Sequence, residues 1–112
     1  MSINGNFNYN LGELAAGIEF DREDYMPLLA LFVEQTVLDL EEIKAQISEC
    51  NEEVISERIH NIKGASLNLG LDRIFSLLEE MSTLNHEGKY GSMGKILDKC
   101  TVEVDNLKKL LE

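Results

Sequence analysis

The sequence predicts an all-α protein: an antiparallel four-helix bundle with a short additional helix at its N-terminus. Apolar residues recur at intervals of three and four along most of the 112-residue chain, which is the spacing of one helix face. No stretch alternates apolar and polar residues as a half-buried strand would, and there is only one proline. Short connections between long amphipathic segments favour antiparallel packing around one core.

Capping residues place the first two helices. Residues 1–9, rich in Asn and Gly, are predicted to form a flexible arm, and residues 10–112 to form the helical domain. Asn10 is expected to cap a short first helix, because an Asn side chain can accept a hydrogen bond from a first-turn amide. A long second helix is expected to start at about Asp21 and to run to about Glu49.

The remaining helices are bounded by further caps and by glycines. Asn51 is predicted to cap a third helix that ends near Gly70, since glycine suits the left-handed conformation after a helix. Asp72 is predicted to start a fourth helix that ends near Gly88. Ser92 is expected to cap the last helix, which continues to the C-terminus.

Composition excludes several classes of function. A net charge of −11 and a pI near 4.5 disfavour nucleic acid, whose phosphates require clustered cations, and disfavour anionic membrane surfaces. Cys50 and Cys100 lack CxxC spacing and are expected to be reduced thiols. No signal peptide or transmembrane segment is apparent. We therefore expect a soluble, cytoplasmic protein. The helices suffice for a monomeric core and the short arm favours a free-standing protein, but the sequence determines neither the oligomeric state nor whether the chain is part of a larger protein.

The third helix carries the most informative residues. His60, Lys63 and Gly64 fall on one face, because helical residues three and four apart are neighbours. The opposite face is an apolar stripe and should be the one buried, so His60 is predicted to point into solvent. Glycine inside a helix costs about 1 kcal/mol relative to alanine, which calls for an explanation. Close approach of a large molecule to the imidazole would explain it.

Three residues distinguish His60 from an idle surface histidine. Lys63 supplies a cation where an added phosphoryl group would lie. Gly64 removes the side chain that would obstruct an incoming protein, and Leu67 leaves an apolar group on an otherwise polar face. Together they indicate a histidine that accepts a phosphoryl group.

The run from His60 to Leu71, HNIKGASLNLGL, resembles the signature of histidine-containing phosphotransfer (HPt) domains. His60, Lys63, Gly64, Ser66 and Gly70 fall on the positions of that motif. The resemblance implies a phosphorelay intermediate: His60 would take a phosphoryl group from the aspartate of one receiver domain and pass it to another. Lys63 would offset the added charge, and Gly64 would admit the receiver.

The resemblance also implies the partners and the cofactor. Receiver domains of response regulators or hybrid sensor kinases would bind this chain, and the receiver would supply Mg²⁺, so no cofactor of its own is expected. The sequence has no glycine-rich nucleotide loop and no Mg²⁺ cluster, so we expect no kinase activity. The cognate kinase, the receivers and the direction of phosphoryl flow cannot be read from the sequence.

Weaker candidates surround this centre. Glu57, one turn before His60, either orients the imidazole or is a solvated glutamate. Ser82 and His86 share a face of the fourth helix, and in similar domains a polar or basic residue there reaches the phosphoryl group. Leu31 and Leu38 extend an extra apolar strip on the second helix, which would either dock the receiver or be covered by the short first helix.

Two other functions are conceivable for a helical bundle with an exposed histidine. The alternative is a helical adaptor that binds a receiver or other signalling partner without relaying a phosphoryl group; the presence of His60 counts against it. A metal site using His60 and His86 is not expected, because the chain has two histidines and His86 lacks the Glu-x-x-His motif that a facing helix would need.

Overall fold

The computed structural model describes residues 9–112, which are folded into five α-helices without a strand. The helices are α1 (Leu11–Gly17), α2 (Arg22–Glu49), α3 (Glu52–Asn68), α4 (Asp72–His86) and α5 (Tyr90–Leu110). The predicted all-α fold is confirmed. The predicted arm, residues 1–9, lies outside the described residues except for Tyr9, whose hydroxyl donates a hydrogen bond to Glu103 on α5.

The four long helices form a closed bundle. α2 and α4 each pack against both α3 and α5, whereas α1 packs against α2. Ion pairs show that neighbours run antiparallel: Lys63 of α3 meets Glu79 of α4, while His86 at the end of α4 meets Glu52 at the beginning of α3. The short connections predicted from the sequence produce this up-and-down order.

The core is built from one apolar stripe of each long helix. The stripe predicted for α3 is confirmed, since its members are all buried: Ile55, Ile59, Ile62, Ser66 and Leu69. The other helices contribute fully buried side chains that include Tyr25, Leu29, Ile43, Leu78, Met81 and Leu107. Because α3 buries one face completely, the opposite face is left for solvent or for a partner.

Both ends of α3 are fixed by local hydrogen bonds. The Asn51 side chain accepts from the Val54 amide at 3.2 Å, which confirms the predicted cap. After the helix, Gly70 adopts a φ of 72°, and the Leu71 amide donates to the Ser66 carbonyl at 2.9 Å. The Tyr25 hydroxyl of α2 also donates to the Leu69 carbonyl at 2.7 Å, so the end of α3 is attached to a second helix.

The predicted cap of the last helix is wrong. α5 begins at Tyr90, with Lys89 rather than Ser92 at the cap position. The reason lies in the preceding turn: Gly88 has a φ of 72°, and the Lys89 amide donates back to the Leu84 carbonyl at 2.9 Å. This turn closes α4 and lets the chain enter the next helix at Tyr90, two residues before Ser92.

None of the helices within residues 9–112 combines the length and the apolar composition that crossing a membrane requires.

A replacement of the glycine that closes α3 should destabilise the fold more than a replacement of the glycine that closes α4. Both have a φ of 72°, but a Cβ at Gly70 would lie 3.3 Å from Ile18 Cγ2, whereas at Gly88 it would meet nothing within 4 Å.

We expect Gly88→Ala to lower the free energy of unfolding by about 1 kcal/mol through backbone strain alone. Gly70→Ala should lower it by about 1–2 kcal/mol, because Ile18 must also move. Urea denaturation of both variants measures the difference. Equal losses would show that Ile18 is displaced without cost.

Candidate functional site

His60 lies near the middle of α3 with its side chain exposed, as predicted. The neighbouring Ile59 and Ile62 are buried in the core, so the backbone that carries the imidazole is held firmly. Among the described residues, no hydrogen bond or ion pair engages the imidazole of His60. A neutral imidazole in this position has a nitrogen lone pair accessible to an electrophile.

His60 shares an open groove with side chains from two helices. The groove is lined by Glu52, Glu53, Ser56, Glu57, His60 and His86. Three of these six residues are glutamates, so the surroundings of His60 are acidic. Glu57 is exposed in this groove, but no hydrogen bond joins it to His60 within residues 9–112, and its supporting role stays a prediction.

The end of α4 brings His86 into the same groove. Its Nδ1 lies 3.3 Å from Glu52 Oε2 at the beginning of α3, and its side chain is largely exposed. Ser82 lies one turn earlier on α4 and is half-buried. The structure therefore brings His86 to the side of the groove that His60 also lines, as the sequence suggested for a second partner, while a contact of Ser82 with the site is not established.

Asn85 positions this part of α4, and the sequence analysis missed it. Its side chain is buried, and Nδ2 donates to the Glu52 carbonyl at 3.1 Å. The bond attaches the last turn of α4 to the first turn of α3, which fixes the distance between His86 and the His60 helix. A polar residue on the apolar face of the fourth helix was the signal that could have identified it.

Lys63 lies on the side of His60 that faces α4. Its Nζ is 3.9 Å from Glu79 Oε2 and 5.4 Å from the centroid of the Phe75 ring. The ion pair is long and Glu79 is exposed, so it contributes little to stability. The lysine stem packs along an apolar neighbour while its charged end remains near solvent. A cation is thus held one turn from His60, as predicted.

Gly64 lies on the side of His60 that faces α2, and its surroundings are open. A Cβ at this position would meet nothing within 4 Å. Packing inside the protein therefore does not require a glycine here, although glycine costs the helix about 1 kcal/mol. Among the described residues no contact explains the glycine, and its role in admitting a partner stays a prediction.

An apolar groove runs between α2 and α3 beside Gly64. Leu28 and Leu31 of α2 face Ala65 of α3 across it, and Leu31 is 62% exposed. Leu67, on the His60 face of α3, is 60% exposed. These side chains remain uncovered in spite of α1, so the cover that the first helix could have provided is partial.

Leu38 lies apart from this groove. It is exposed, but it lines a different groove together with Lys108 and Leu111 at the end of the chain. The predicted strip of Leu31 and Leu38 is therefore divided between two surfaces, because Leu38 lies on the side of α2 that faces the end of α5.

Asp39 forms the polar end of the α2–α3 groove and was also missed. Its side chain is 4% exposed and pairs with Arg58 of α3 through an Oδ1–Nη1 distance of 3.2 Å. Removal of one partner of such a buried pair leaves an uncompensated charge, so the pair fixes the register of α2 on α3. Its signal was an aspartate adjacent to the apolar stripe of the second helix.

Residues 9–112 contain no group of three or more His, Cys, Asp and Glu side chains placed to hold a metal ion. The site therefore consists of an exposed imidazole, a cation one turn away, a bare stretch of backbone and a neighbouring apolar groove.

A family model described as "Hpt domain" matches residues 27–112, which include all of α3, α4 and α5. The chain belongs to the Hpt domain family. Hpt domains are phosphotransfer modules rather than kinases, and they interact with receiver domains in two-component systems. Membership suggests phosphorelay in two-component signalling. Neither the curated proteins nor the solved structures gave a significant match.

The openness around Gly64 predicts a gain in stability on substitution. Gly64→Ala should raise the free energy of unfolding by about 0.5–1 kcal/mol, because alanine loses less backbone entropy in a helix and meets no neighbour. Gly94→Ala on α5 is the matched control, since a Cβ there also meets nothing within 4 Å. Urea denaturation compares the two. A loss of stability confined to Gly64→Ala would contradict the open surface.

Proposed function

We propose that this Hpt domain protein is a phosphorelay intermediate in two-component signal transduction. His60 accepts a phosphoryl group from the aspartate of one receiver domain and passes it to the aspartate of another. The observation that carries the proposal is the exposed imidazole of His60, which no side chain within residues 9–112 engages, beside the open backbone of Gly64. The receivers belong to response regulators or hybrid sensor kinases, and the protein acts in the cytoplasm as a monomer.

The chemistry requires little from this chain beyond a positioned nucleophile. A neutral imidazole nitrogen attacks the phosphorus of the aspartyl phosphate in line; the N–P bond forms, and the P–O bond to the aspartate breaks. The aspartate leaves as a carboxylate, so no proton has to be delivered to it. The receiver supplies the Mg²⁺ that neutralises charge during transfer, and the reverse reaction passes the group to the next receiver.

Lys63 stabilises the phosphorylated state. The phosphoryl group adds about two negative charges near neutral pH, in a groove that already contains Glu52, Glu53 and Glu57. Because the pair between Lys63 and Glu79 is long and solvent-exposed, its ammonium group can turn to the phosphoryl oxygens at small cost. His86, on the same groove, is a second donor in this proposal, with Glu57 and Ser82 in supporting positions.

Docking of the receiver uses the side of His60 that faces α2. Gly64 lets the receiver backbone approach, while Leu31 and Leu67 provide apolar area that becomes buried. The groove between α2 and α3 continues this surface. Leu38 lies on another groove, so the docking surface proposed here rests on Leu31 and Leu67.

The first test compares the two histidines as phosphoryl acceptors. His60→Gln should accept no phosphoryl group from a panel of phosphorylated receiver domains, whereas wild type and His86→Gln should both become labelled. Both side chains are exposed, so circular dichroism should show an unchanged fold. The label should be labile in acid and stable in base.

Label on His60→Gln would overturn the assignment of the acceptor. If wild type binds a receiver but is not labelled by any, the protein is the non-relaying adaptor instead.

The role of Lys63 predicts a change in rate without a loss of function. Lys63→Ala should slow phosphotransfer about tenfold, which corresponds to one hydrogen bond to a charged group at about 1.4 kcal/mol. Lys95→Ala on α5 removes the same charge away from the groove and should leave the rate near that of wild type. Rapid-quench single-turnover transfer measures both. Equal slowing in the two variants would point to net charge rather than to Lys63.

A further inference from the structure

Residues 9–26 lie outside the matched family segment, yet they are integrated into the bundle. Leu11 and Ala15 of α1 are buried in the core, and α1 packs on α2. The helix itself is only seven residues long, so packing rather than helix propensity holds it. The contacts at the two ends of this segment, at Tyr9 and at the turn of residues 18–20, indicate its role.

At its beginning, Tyr9 is fixed to the side of the bundle formed by α4 and α5. The Tyr9 hydroxyl donates to Glu103 Oε1, and Arg73 Nε donates to the same oxygen at 3.1 Å. The Arg73 guanidinium also stacks over the Tyr9 ring at 4.3 Å from its centroid. Burial and the hydrogen bond to Glu103 raise the pKa of Tyr9 well above its usual range, so the hydroxyl remains a donor.

At its other end, the segment turns sharply beside the closure of α3. The Phe20 amide donates to the Ala15 carbonyl at 2.8 Å, and Glu19 adopts a φ of 60°. A non-glycine residue in this conformation is strained, which requires that the surroundings hold the turn in place. The Ile18 side chain packs against Gly70, the residue that ends the His60 helix.

This turn forms one wall of the α2–α3 groove. Ile18 and Phe20 line the groove together with Leu28 and Leu31, and Phe20 is 43% exposed. The proposed docking surface therefore continues from Gly64 and Leu31 onto residues that the family match does not include. Tyr9 holds the same segment from the opposite side of the bundle, some ten residues earlier in the chain.

We infer that residues 9–20 determine the specificity of receiver docking: Ile18 and Phe20 contact the receiver, and the Tyr9–Arg73–Glu103 cluster positions them. The inference rests on the proposed function. The partner is a receiver domain with apolar side chains opposite Phe20, since an exposed aromatic ring in a groove gains most from apolar burial. Tyr9 acts as a positioning residue and does not touch the partner.

Phosphotransfer kinetics over a range of receiver concentrations separate docking from chemistry. Phe20→Ala should raise the half-saturating receiver concentration about tenfold, the loss typical of an interface anchor, and leave the saturating rate within about twofold. Leu38→Ala is the matched control: Leu38 is 57% exposed but lines a different groove, together with Lys108 and Leu111. It should leave both quantities unchanged.

The Tyr9 cluster is tested by removal of a single hydroxyl. Tyr9→Phe should raise the half-saturating concentration about threefold with the saturating rate unchanged, because the wall becomes less well positioned. Tyr90→Phe is its control, since the Tyr90 hydroxyl donates to the Cys50 carbonyl at the end of the bundle away from α1. In a Phe20→Ala background, Tyr9→Phe should raise the half-saturating concentration by a smaller factor than it does in wild type. Circular dichroism confirms that each variant is folded at the assay temperature.

The outcomes separate the inference from the function on which it rests. If wild type transfers and Phe20→Ala behaves like Leu38→Ala, the specificity role is overturned while the relay through His60 stands. If Tyr9→Phe raises the half-saturating receiver concentration by the same factor in wild type and in the Phe20→Ala background, the cluster does not position the wall of the groove. If wild type exchanges no phosphoryl group with any receiver, the proposed function fails and this inference fails with it.

Discussion

The closure of α3 at Gly70 is the constraint on which the rest of the structure depends. The left-handed conformation at this glycine ends the helix and reverses the chain, which brings α4 back along α3. Two other elements attach to the same turn: the Tyr25 hydroxyl donates to the Leu69 carbonyl, and Ile18 packs against Gly70. The antiparallel course of α4 then places Phe75 and Glu79 beside Lys63.

Polar contacts between helices set the register that apolar packing leaves free. Asp39 pairs with Arg58 between α2 and α3, and the Asn85 side chain bonds to the Glu52 carbonyl between α4 and α3. A shift of an apolar stripe by one turn loses little free energy of packing. A shift that separates a buried polar group from its partner costs about 1–3 kcal/mol or more. These contacts on either side of α3 keep His60 at a constant height relative to both neighbouring helices.

The two sides of His60 differ in chemistry. The side towards α4 carries the cation of Lys63 and the exposed His86, within a groove that is otherwise acidic. The side towards α2 carries the bare backbone of Gly64 and the apolar groove with Leu31. In the function proposed here, charge compensation and partner docking are therefore assigned to opposite sides of one imidazole. Charge compensation and docking both depend on α3, whose remaining face is fully buried in the core.

The sequence by itself determined the helices, the face of α3 that is exposed and the motif around His60. These are local properties: caps such as Asn10 and Asn51, left-handed glycines such as Gly70, and apolar spacing act within one or two turns. The predicted start of α5 at Ser92 was wrong because the turn at Gly88 returns the chain to helical conformation two residues earlier, at Tyr90.

Only the tertiary structure decided which side chains meet across helices. It separated Leu38 from Leu31, brought His86 to the groove of His60 and joined Tyr9 to Glu103. These outcomes depend on the register between helices and on the path of the chain before α2, which hydrophobic periodicity within a single helix does not specify.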